Sequence, residues 1–237
     1  MHYNFKSLIV FEDDDIYIIN KPWGISSLAE HTAKTTSLFD VMKSFNPNAR
    51  LCHRLDKFTS GCMIVSKNDD AYRAISIGFE KRLIHKTYHA VVHKPSAFEN
   101  ESVKMALVKK VNNTGIVAHN GKPAETIFNT LESFKHFSLV ECKPVTGRFH
   151  QIRVHLQYLD HPIVADEIYG GKIPYLSEIL PRYKNSSRRE ENPMIKRFAL
   201  HAHQLEFTTP SGKALKINAP YPKDFNTLIK LIRKNDR

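Results

Sequence analysis

The sequence predicts an α+β fold with a mixed, largely antiparallel central sheet and flanking helices. Three observations carry this prediction. Many short runs are rich in β-branched and aromatic residues, few segments have helical periodicity, and most of the strand-like runs follow one another through short polar turns. The 237 residues are enough to bury a substantial core. We expect a single domain over residues 1–237, with room for two lobes around one cleft.

The N-terminal segments alternate between strands and helices. Strands are predicted from β-branched and aromatic runs, and helices from apolar periodicity with capping residues. The predicted strands are "SLIVFE" (7–12), "DIYIINKP" (15–22), "GCMIVSK" (61–67) and "KTYHAVVHK" (86–94), the first two forming a hairpin across "DDD". The predicted helices are "TTSLFDVMKSF" (35–45) and "NDDAYRAISIGFEKR" (68–82).

The C-terminal part continues with a meander of strands over residues 101–145, turning at "NNTG" and "NGKP". Residues 146–162 then change to a helical rhythm, with Ile152, Leu156 and Leu159 on one face. The remaining predicted elements are strands in "RFALHAHQLEFTTP" and "KALKINAP", and an amphipathic helix in "KDFNTLIKLIRKND".

The composition favours a polyanionic partner. Thirty-five Lys and Arg against 24 Asp and Glu give a net charge of +11, spread along the chain. This balance favours nucleic acid first and an anionic membrane surface second, while a purely solubilising role stays open. Three cysteines without a CxxC pair predict neither disulfides nor a thiolate zinc site. The N-terminus resembles neither a signal peptide nor a membrane span, so we expect a cytoplasmic protein without membrane association.

Other chemistries lack their motifs. His85, His89 and His93 would spread over about 27 Å on a strand, too far for one metal ion. "NGKPAET" lacks the spacing of a phosphate-binding loop, and Ser60 does not lie in a nucleophile elbow. We therefore expect no metal site and no nucleotide hydrolysis.

The stretch "HRLDKFTSG" (53–61) concentrates functional groups ahead of a predicted strand. Between Arg54 and a turn with backbone donors, the Asp56 carboxylate would stay ionised. It could act as a nucleophile or as an electrostatic stabiliser at a sugar carbon. From this stretch alone, an ordinary aspartate capping a turn is the other reading.

Five further stretches accompany this motif in a definite order. They are "NKPWG" (20–24), which precedes it, and "KTYHAVV" (86–92), "GKPAET" (121–126), "GRFHQIRVHLQYLDHPIVADEIYG" (147–170) and "LHA" (200–202), which follow. From about residue 8 to about residue 222 the chain resembles the RluA-type pseudouridine synthases. The resemblance implies the pseudouridine synthase fold with a catalytic cleft and isomerisation of uridine in RNA, without metal or organic cofactor. We expect a catalytic domain that no S4-like domain precedes.

The resemblance also implies catalytic roles. Asp56 matches the family's essential aspartate, which attacks the ribose or promotes glycal formation; the sequence leaves the two routes open. Tyr88 matches the tyrosine that stacks on the target base and assists proton removal. Arg153 matches the basic residue that pairs with the catalytic aspartate and keeps it anionic.

Substrate-binding roles follow in the same way. Leu200 matches an apolar residue packing against the uracil site, and Arg54 matches an arginine entering the space left by the flipped nucleotide. We expect His53 to face RNA or order its loop, and Arg148 and His150 to contribute to substrate binding. Phe149 departs from the family pattern, in which Thr or Ser is usual.

Residues 172–197 form a predicted basic insertion. Seven cations against three acids give this stretch a charge of +4, and we interpreted the cationic side chains, Arg197 included, as exposed. Arg188 and Arg189 would then contact phosphates, although a solvated surface loop is equally consistent with the pattern.

Together these features predict an RNA pseudouridine synthase acting on specific uridines of structured rRNA or tRNA. The sequence shows no exposed apolar stripe or heptad pattern that would indicate an interface with a partner chain, so we expect a monomer. Two alternatives stay open: a catalytically silent RNA-binding or RNA-chaperone protein with the same fold, and a hydrolase of the sugar–base bond.

Overall fold

The structure is a computed structural model that describes residues 3–29, 35–111, 114–180, 183 and 191–236. The chain divides into two compact units. The first comprises Met1–Thr87 and His201–Tyr221, and the second comprises Tyr88–Leu200 and Pro222–Arg237. Among the described residues, no helix combines the length and the apolar character that crossing a bilayer requires.

The regular elements follow the alternation that the sequence predicts. The strands are β1 (Ile9–Glu12), β2 (Ile16–Lys21), β3 (Arg50–Leu51), β4 (Ser60–Ser66), β5 (His85–His93), β6 (Glu101–Lys104), β7 (Leu107–Lys109), β8 (Gly115–Val117), β9 (Glu125–Ser133), β10 (Phe137–Pro144), β11 (Leu200–Thr208) and β12 (Ala214–Asn218). The helices are α1 (Leu38–Phe45), α2 (Asp69–Glu80), α3 (Gln151–Tyr158), α4 (Leu176–Ile179) and α5 (Lys223–Asn235).

In the first unit, β1, β2, β4, β11 and β12 pair in that order, and β3 adds to β4. The β4–β11 pair is parallel and the other pairs are antiparallel. The helices start at sequence-encoded caps. The Ser37 hydroxyl accepts from the Asp40 N–H at 3.2 Å, the Asp40 carboxylate accepts from the Ser37 N–H at 2.9 Å, and the Asn68 side chain accepts from the Ala71 N–H at 2.8 Å. A core of buried side chains fills this unit, namely Ile16, Ile18, Cys62, Ile64, Ala71, Ile75, Ile84, Leu205, Phe207, Leu215 and Ala219.

In the second unit, β5, β10, β9 and β6 form an antiparallel sheet, and β7 and β8 form a separate two-stranded ribbon. The ribbon packs with α3 through Leu107, Ala124, Val154 and Tyr169. The predicted α+β class and its mixed, largely antiparallel sheet are confirmed.

The helix predicted within residues 146–162, with Gly147 at its approach, is shorter than that range. α3 begins only at Gln151 and ends at Tyr158. Residues 146–150 instead form a loop in which His150 has a φ of +53°. The first six residues of α3 are all buried, so a single apolar face does not describe this helix.

Candidate active site

Asp56 lies in the loop between β3 and β4, directly after the buried Leu55. The Thr59 N–H donates to the Asp56 carbonyl at 3.0 Å, which closes a tight turn over residues 56–59. The Asp56 side chain is half-buried. A carboxylate on such a turn has a defined position without being removed from solvent.

Ser27 fixes the backbone just before Asp56. Its hydroxyl donates to the Leu55 carbonyl at 2.8 Å and accepts from the Leu55 N–H at 3.1 Å. Because both residues are buried, these two bonds satisfy backbone groups that water cannot reach. One hydroxyl thus takes the place of a neighbouring strand.

Lys21 fixes the backbone just after Asp56. Its fully buried ammonium donates to the carbonyls of Pro22, Ile25 and Lys57 at 2.9, 3.0 and 3.2 Å. Three carbonyl acceptors match the three donors of an ammonium, which offsets much of the cost of burying the charge. The Lys57 carbonyl also accepts from the Gly24 N–H at 2.8 Å, so the "NKPWG" stretch is tied directly to the Asp56 loop.

His53 is directed toward the fold. Its Nε2 accepts from the Ile64 N–H at 2.9 Å, and its ring lies 4.8 Å from that of Phe79. Burial, assisted by the charge of Lys86, lowers the pKa of His53 to about 3, so the imidazole is neutral. These contacts order the loop, whereas Arg54 is exposed. Binding of RNA by either residue stays a prediction.

Gly61 sets the close approach of β4 to β11. Its φ is +117°, and a Cβ placed there would lie 2.1 Å from the Ala202 carbonyl oxygen, so only glycine fits. The neighbouring Ser60 hydroxyl lies 2.9 Å from Nδ1 of His201, and Nε2 of His201 lies 3.2 Å from the Ala219 carbonyl. Because a carbonyl only accepts, Nε2 of His201 carries a proton, and in the neutral ring Nδ1 accepts from the Ser60 hydroxyl.

In the second unit, Arg153 forms a buried fork with Asp166. Its Nε and Nη2 each donate to one carboxylate oxygen at 2.7 Å, and both side chains are almost fully enclosed. The rings of Tyr169 and Phe198 lie 4.8 and 4.2 Å from the guanidinium carbon. Arg153 and Asp56 belong to different units, and their pairing stays a prediction.

Asp166 is a site residue that sequence reasoning missed. It lies near the end of the stretch 147–170, but nothing in its spacing marks it as a partner of Arg153. The available signal was Arg153 itself, since an arginine in the middle of a buried helix needs a carboxylate.

Gln151 organises the loop that leads into α3. Its Oε1 accepts from the Thr146 hydroxyl at 2.7 Å and from the Arg148 N–H at 2.9 Å. Its Nε2 donates to the Glu125 carbonyl and the Thr126 hydroxyl, both at 2.9 Å. The amide therefore uses both ends inside the fold.

The three residues before Gln151 differ in their surroundings. Arg148 is exposed and donates from Nε to the Pro123 carbonyl at 3.0 Å. The Phe149 and His150 rings stack at 3.7 Å, and Nδ1 of His150 lies 2.8 Å from the Tyr169 hydroxyl. Lys109 lies over the Phe149 ring at 4.8 Å. The substrate-binding roles of Arg148 and His150 stay predictions.

Two more predicted site residues lie in strands. Tyr88 is half-buried on β5, opposite Cys142 of β10. Leu200 is buried at the start of β11, and its N–H donates to the Phe198 carbonyl at 2.9 Å. Their contacts with a uracil base stay predictions.

The expectation that Arg197 is exposed is wrong. Its Nε and Nη2 donate to the Asp224 carboxylate at 2.8 and 3.2 Å, and Nη1 donates to the Phe198 and Leu200 carbonyls at 3.3 Å. The side chain is buried because it anchors the chain ahead of β11. Lys172 and Lys196 are exposed, and Arg188 and Arg189 lie outside the described residues.

Comparison with known proteins places this arrangement in a family. The family model described as RNA pseudouridylate synthase matches residues 15–158. The ribosomal large subunit pseudouridine synthase C of Salmonella typhi is 34% identical over 234 residues, covering 95% of this chain and 70% of that protein. The Vibrio cholerae protein of the same name is 37% identical over 217 residues, covering 90% and 65%.

A solved structure agrees with the sequence relatives. The human RNA pseudouridylate synthase domain containing 4 structure matches with a TM-score of 0.74 and 26% identity, covering 97% of this chain and 94% of that one. The chain therefore belongs to the RNA pseudouridine synthases of the RluA type, enzymes that isomerise uridine in RNA to pseudouridine.

Proposed function

We propose that this enzyme isomerises a uridine of large-subunit ribosomal RNA and that Asp56 is its catalytic carboxylate. The names of the Salmonella and Vibrio relatives support the choice of RNA. The observation that carries the role of Asp56 is its loop, in which Ser27 and Lys21 bind the backbone on either side of that residue. Transfer RNA is the alternative substrate.

Two routes connect Asp56 to the product. In the first, the carboxylate bonds to C1′ of the ribose as the bond from C1′ to N1 of uracil breaks. The base then turns, C5 bonds to C1′, and the carboxylate leaves. In the second, the carboxylate takes a proton from C2′ as the bond from C1′ to N1 breaks, which gives a glycal; C5 of the turned base then bonds to C1′ and the proton returns to C2′. In both routes the proton on C5 is finally lost.

Tyr88 and Arg153 complete the proposal. Tyr88 stacks on the extruded uracil, which restores part of the stacking lost on flipping, and assists removal of the C5 proton. Arg153, which the family resemblance matches to the basic partner of the catalytic aspartate, keeps Asp56 anionic and oriented, while Asp166 accepts from two of the N–H groups of Arg153. Asp166 then acts as a positioning residue through Arg153.

The test is tritium release from large-subunit RNA labelled at C5 of uridine. We expect Asp56→Asn to lower the rate by at least about 10³-fold, because the group that engages the ribose is removed. Asp70→Asn is the matched control, since Asp70 is an exposed aspartate of the same unit, and its activity stays unchanged. Activity retained in Asp56→Asn refutes the proposal.

The same assay separates the alternatives. A hydrolase releases free uracil and leaves an abasic ribose, whereas a silent RNA-binding protein leaves the nucleoside unchanged. Only isomerisation releases tritium while the base stays attached. Transfer RNA replaces ribosomal RNA in a parallel reaction, and a faster reaction with transfer RNA would reassign the substrate.

We also infer a cytosolic monomer. The three cysteines are free thiols, as a reducing compartment requires. Burial raises the pKa of Cys52 to about 11 and that of Cys62 to about 12, so these thiols are unreactive at neutral pH.

A further inference from the structure

The loop of the first unit that carries Trp23 presents an exposed indole. Trp23 is the only tryptophan of the chain, and 38% of its surface is accessible. Pro22 precedes it and Gly24, with a φ of +88°, follows it, so the backbone is constrained on one side and turns sharply on the other. A rigid turn holds the indole at the surface with little loss of conformational entropy.

A second exposed aromatic side chain lies on the adjoining loop. Phe58 has 43% of its surface accessible and lies two residues after Asp56. The Gly24 N–H donates to the Lys57 carbonyl at 2.8 Å, and this hydrogen bond joins the residue after Trp23 to the residue before Phe58. Standard backbone dimensions then bring the Cα atoms of Trp23 and Phe58 within about 8 Å of each other.

The buried Lys21 ammonium makes this pair a fixed arrangement. It binds the Lys57 carbonyl and also the carbonyls of Pro22 and Ile25, on both sides of Trp23. The two loops therefore cannot separate without exposing or unpairing a buried charge, which is costly. Trp23 and Phe58 form a preorganised pair, which we name the aromatic platform.

The charge beside the platform identifies its ligand. Arg54, two residues before Asp56, is exposed. Lys57, directly before Phe58 in the sequence, adds a second positive charge to this loop. Aromatic side chains next to cations are the recurring means of binding single-stranded RNA, because bases stack on the rings while phosphates contact the charges.

We propose that the aromatic platform of Trp23 and Phe58 stacks on an unpaired nucleotide next to the target uridine and so helps to select the RNA. This inference rests on the proposed function, because the platform adjoins the loop of Asp56. It adds a binding site for a neighbouring nucleotide to the site for the target base.

The single tryptophan makes the proposal directly measurable. The full chain is titrated with a single-stranded oligouridylate RNA while the emission of Trp23 is followed. We expect saturable quenching as a base stacks on the indole. Phe58→Ala keeps the reporter, and Trp23→Ala is followed with a fluorescently labelled oligonucleotide. Each variant binds about 5- to 150-fold more weakly, which is the range that losing one base–aromatic stack produces.

Phe45→Ala is the matched control. Phe45 belongs to the same unit, has 42% of its surface accessible and has its ring contacts with Phe5 and Tyr17, so binding stays unchanged. Trp23→Phe provides a conservative variant that retains an aromatic ring and most of the affinity. Thermal unfolding of each variant identifies any loss of the folded state, and Phe58→Leu replaces Phe58→Ala should the alanine variant unfold.

Asp56→Asn separates this proposal from the proposed function. We expect the Trp23 emission of that variant to be quenched when RNA binds, and we expect the variant to release no tritium. Unchanged Trp23 emission on saturation, no binding of the oligonucleotide, or full affinity in both Trp23→Ala and Phe58→Ala would each overturn the platform. Tritium release by Asp56→Asn would instead overturn the catalytic assignment and leave the platform standing.

Discussion

The Asp56 loop of the first unit and the α3 segment of the second unit are held in different ways. Around Asp56, the side chains of Ser27, Lys21 and His53 all bind backbone groups. At α3, side chains bind other side chains as well as backbone groups. Arg153 binds the Asp166 carboxylate, and Gln151 binds the hydroxyls of Thr146 and Thr126 in addition to two backbone groups. The contacts around Asp56 therefore set the path of the loop backbone, whereas those at α3 also set the positions of charged and polar side chains.

This difference has energetic consequences. A backbone group that loses its partner in the loop costs about 1–3 kcal/mol when it stays buried. A guanidinium that loses its carboxylate inside the second unit leaves an uncompensated charge, which costs about 3–5 kcal/mol. The α3 segment is therefore the more fragile of the two to a single substitution.

Asp166→Asn is expected to have the largest effect on stability. It keeps the shape of the side chain but removes the charge that Arg153 faces, so the free energy of unfolding falls by about 3–5 kcal/mol. Urea denaturation at neutral pH measures the change. Asp70→Asn provides the comparison, because its pair with Arg73 is exposed and contributes about 0–1 kcal/mol.

A double variant sharpens the interpretation of this result. Arg153→Met with Asp166→Leu replaces the buried pair by apolar side chains of similar volume, which is often neutral for stability. We expect it to recover most of the stability and none of the activity. If Asp166→Asn lowers the free energy of unfolding by less than about 1 kcal/mol, the Arg153–Asp166 pair does not stabilise the α3 segment.

Gly61→Ala tests the close contact between β4, which follows the Asp56 loop, and β11. The methyl group would clash with the Ala202 carbonyl, and the φ of +117° is unfavourable for alanine. Together, overpacking and backbone strain reduce the free energy of unfolding by about 2–4 kcal/mol. Gly212→Ala is the matched control, since its φ is +86° but no atom lies within 4 Å of the added Cβ. Equal losses in the two variants would show that strain alone, and not the β4–β11 contact, requires glycine.

The comparison also explains what the sequence could predict. Local patterns predicted the β1–β2 hairpin and the helices α1, α2 and α5, because turn residues, caps and apolar spacing act within a few residues. The stretch around Asp56 could likewise be recognised, since its residues are contiguous. The supports of that stretch could not, because Ser27 and Lys21 lie 28 and 36 residues from the backbone groups they bind.

The α3 segment was harder to predict for a related reason. Its burial on all sides hides the amphipathic period on which helix prediction depends, and its loop exists because Gln151 binds groups of Glu125 and Thr126. Arg197 shows the same limit, since its partner Asp224 is 27 residues away and the local sequence resembles an exposed basic loop.

The smallest expected effect concerns pH and distinguishes the loop from an ion-paired site. The pKa of His53 is about 3 in the folded protein, well below the ordinary value near 6.5 in the unfolded chain. As the pH falls below 6.5, the unfolded chain takes up a proton that the folded protein does not. The stabilising contribution is therefore complete above pH 6.5 and is lost progressively toward pH 3.

His53→Gln retains an acceptor for the Ile64 N–H but cannot titrate. We expect the loss of stability between pH 7 and pH 5.5 to be about 1 kcal/mol smaller in this variant than in the unaltered protein. Urea denaturation at each pH measures the two profiles, and His85→Gln, at an exposed histidine of the same unit, is the matched control. Superimposable profiles for His53→Gln and the unaltered protein would mean that His53 takes up its proton in the folded state. The loop would then tolerate a charge at His53, and its shape would not depend on a neutral ring, in contrast to the α3 segment, whose arrangement depends on the charges of Arg153 and Asp166.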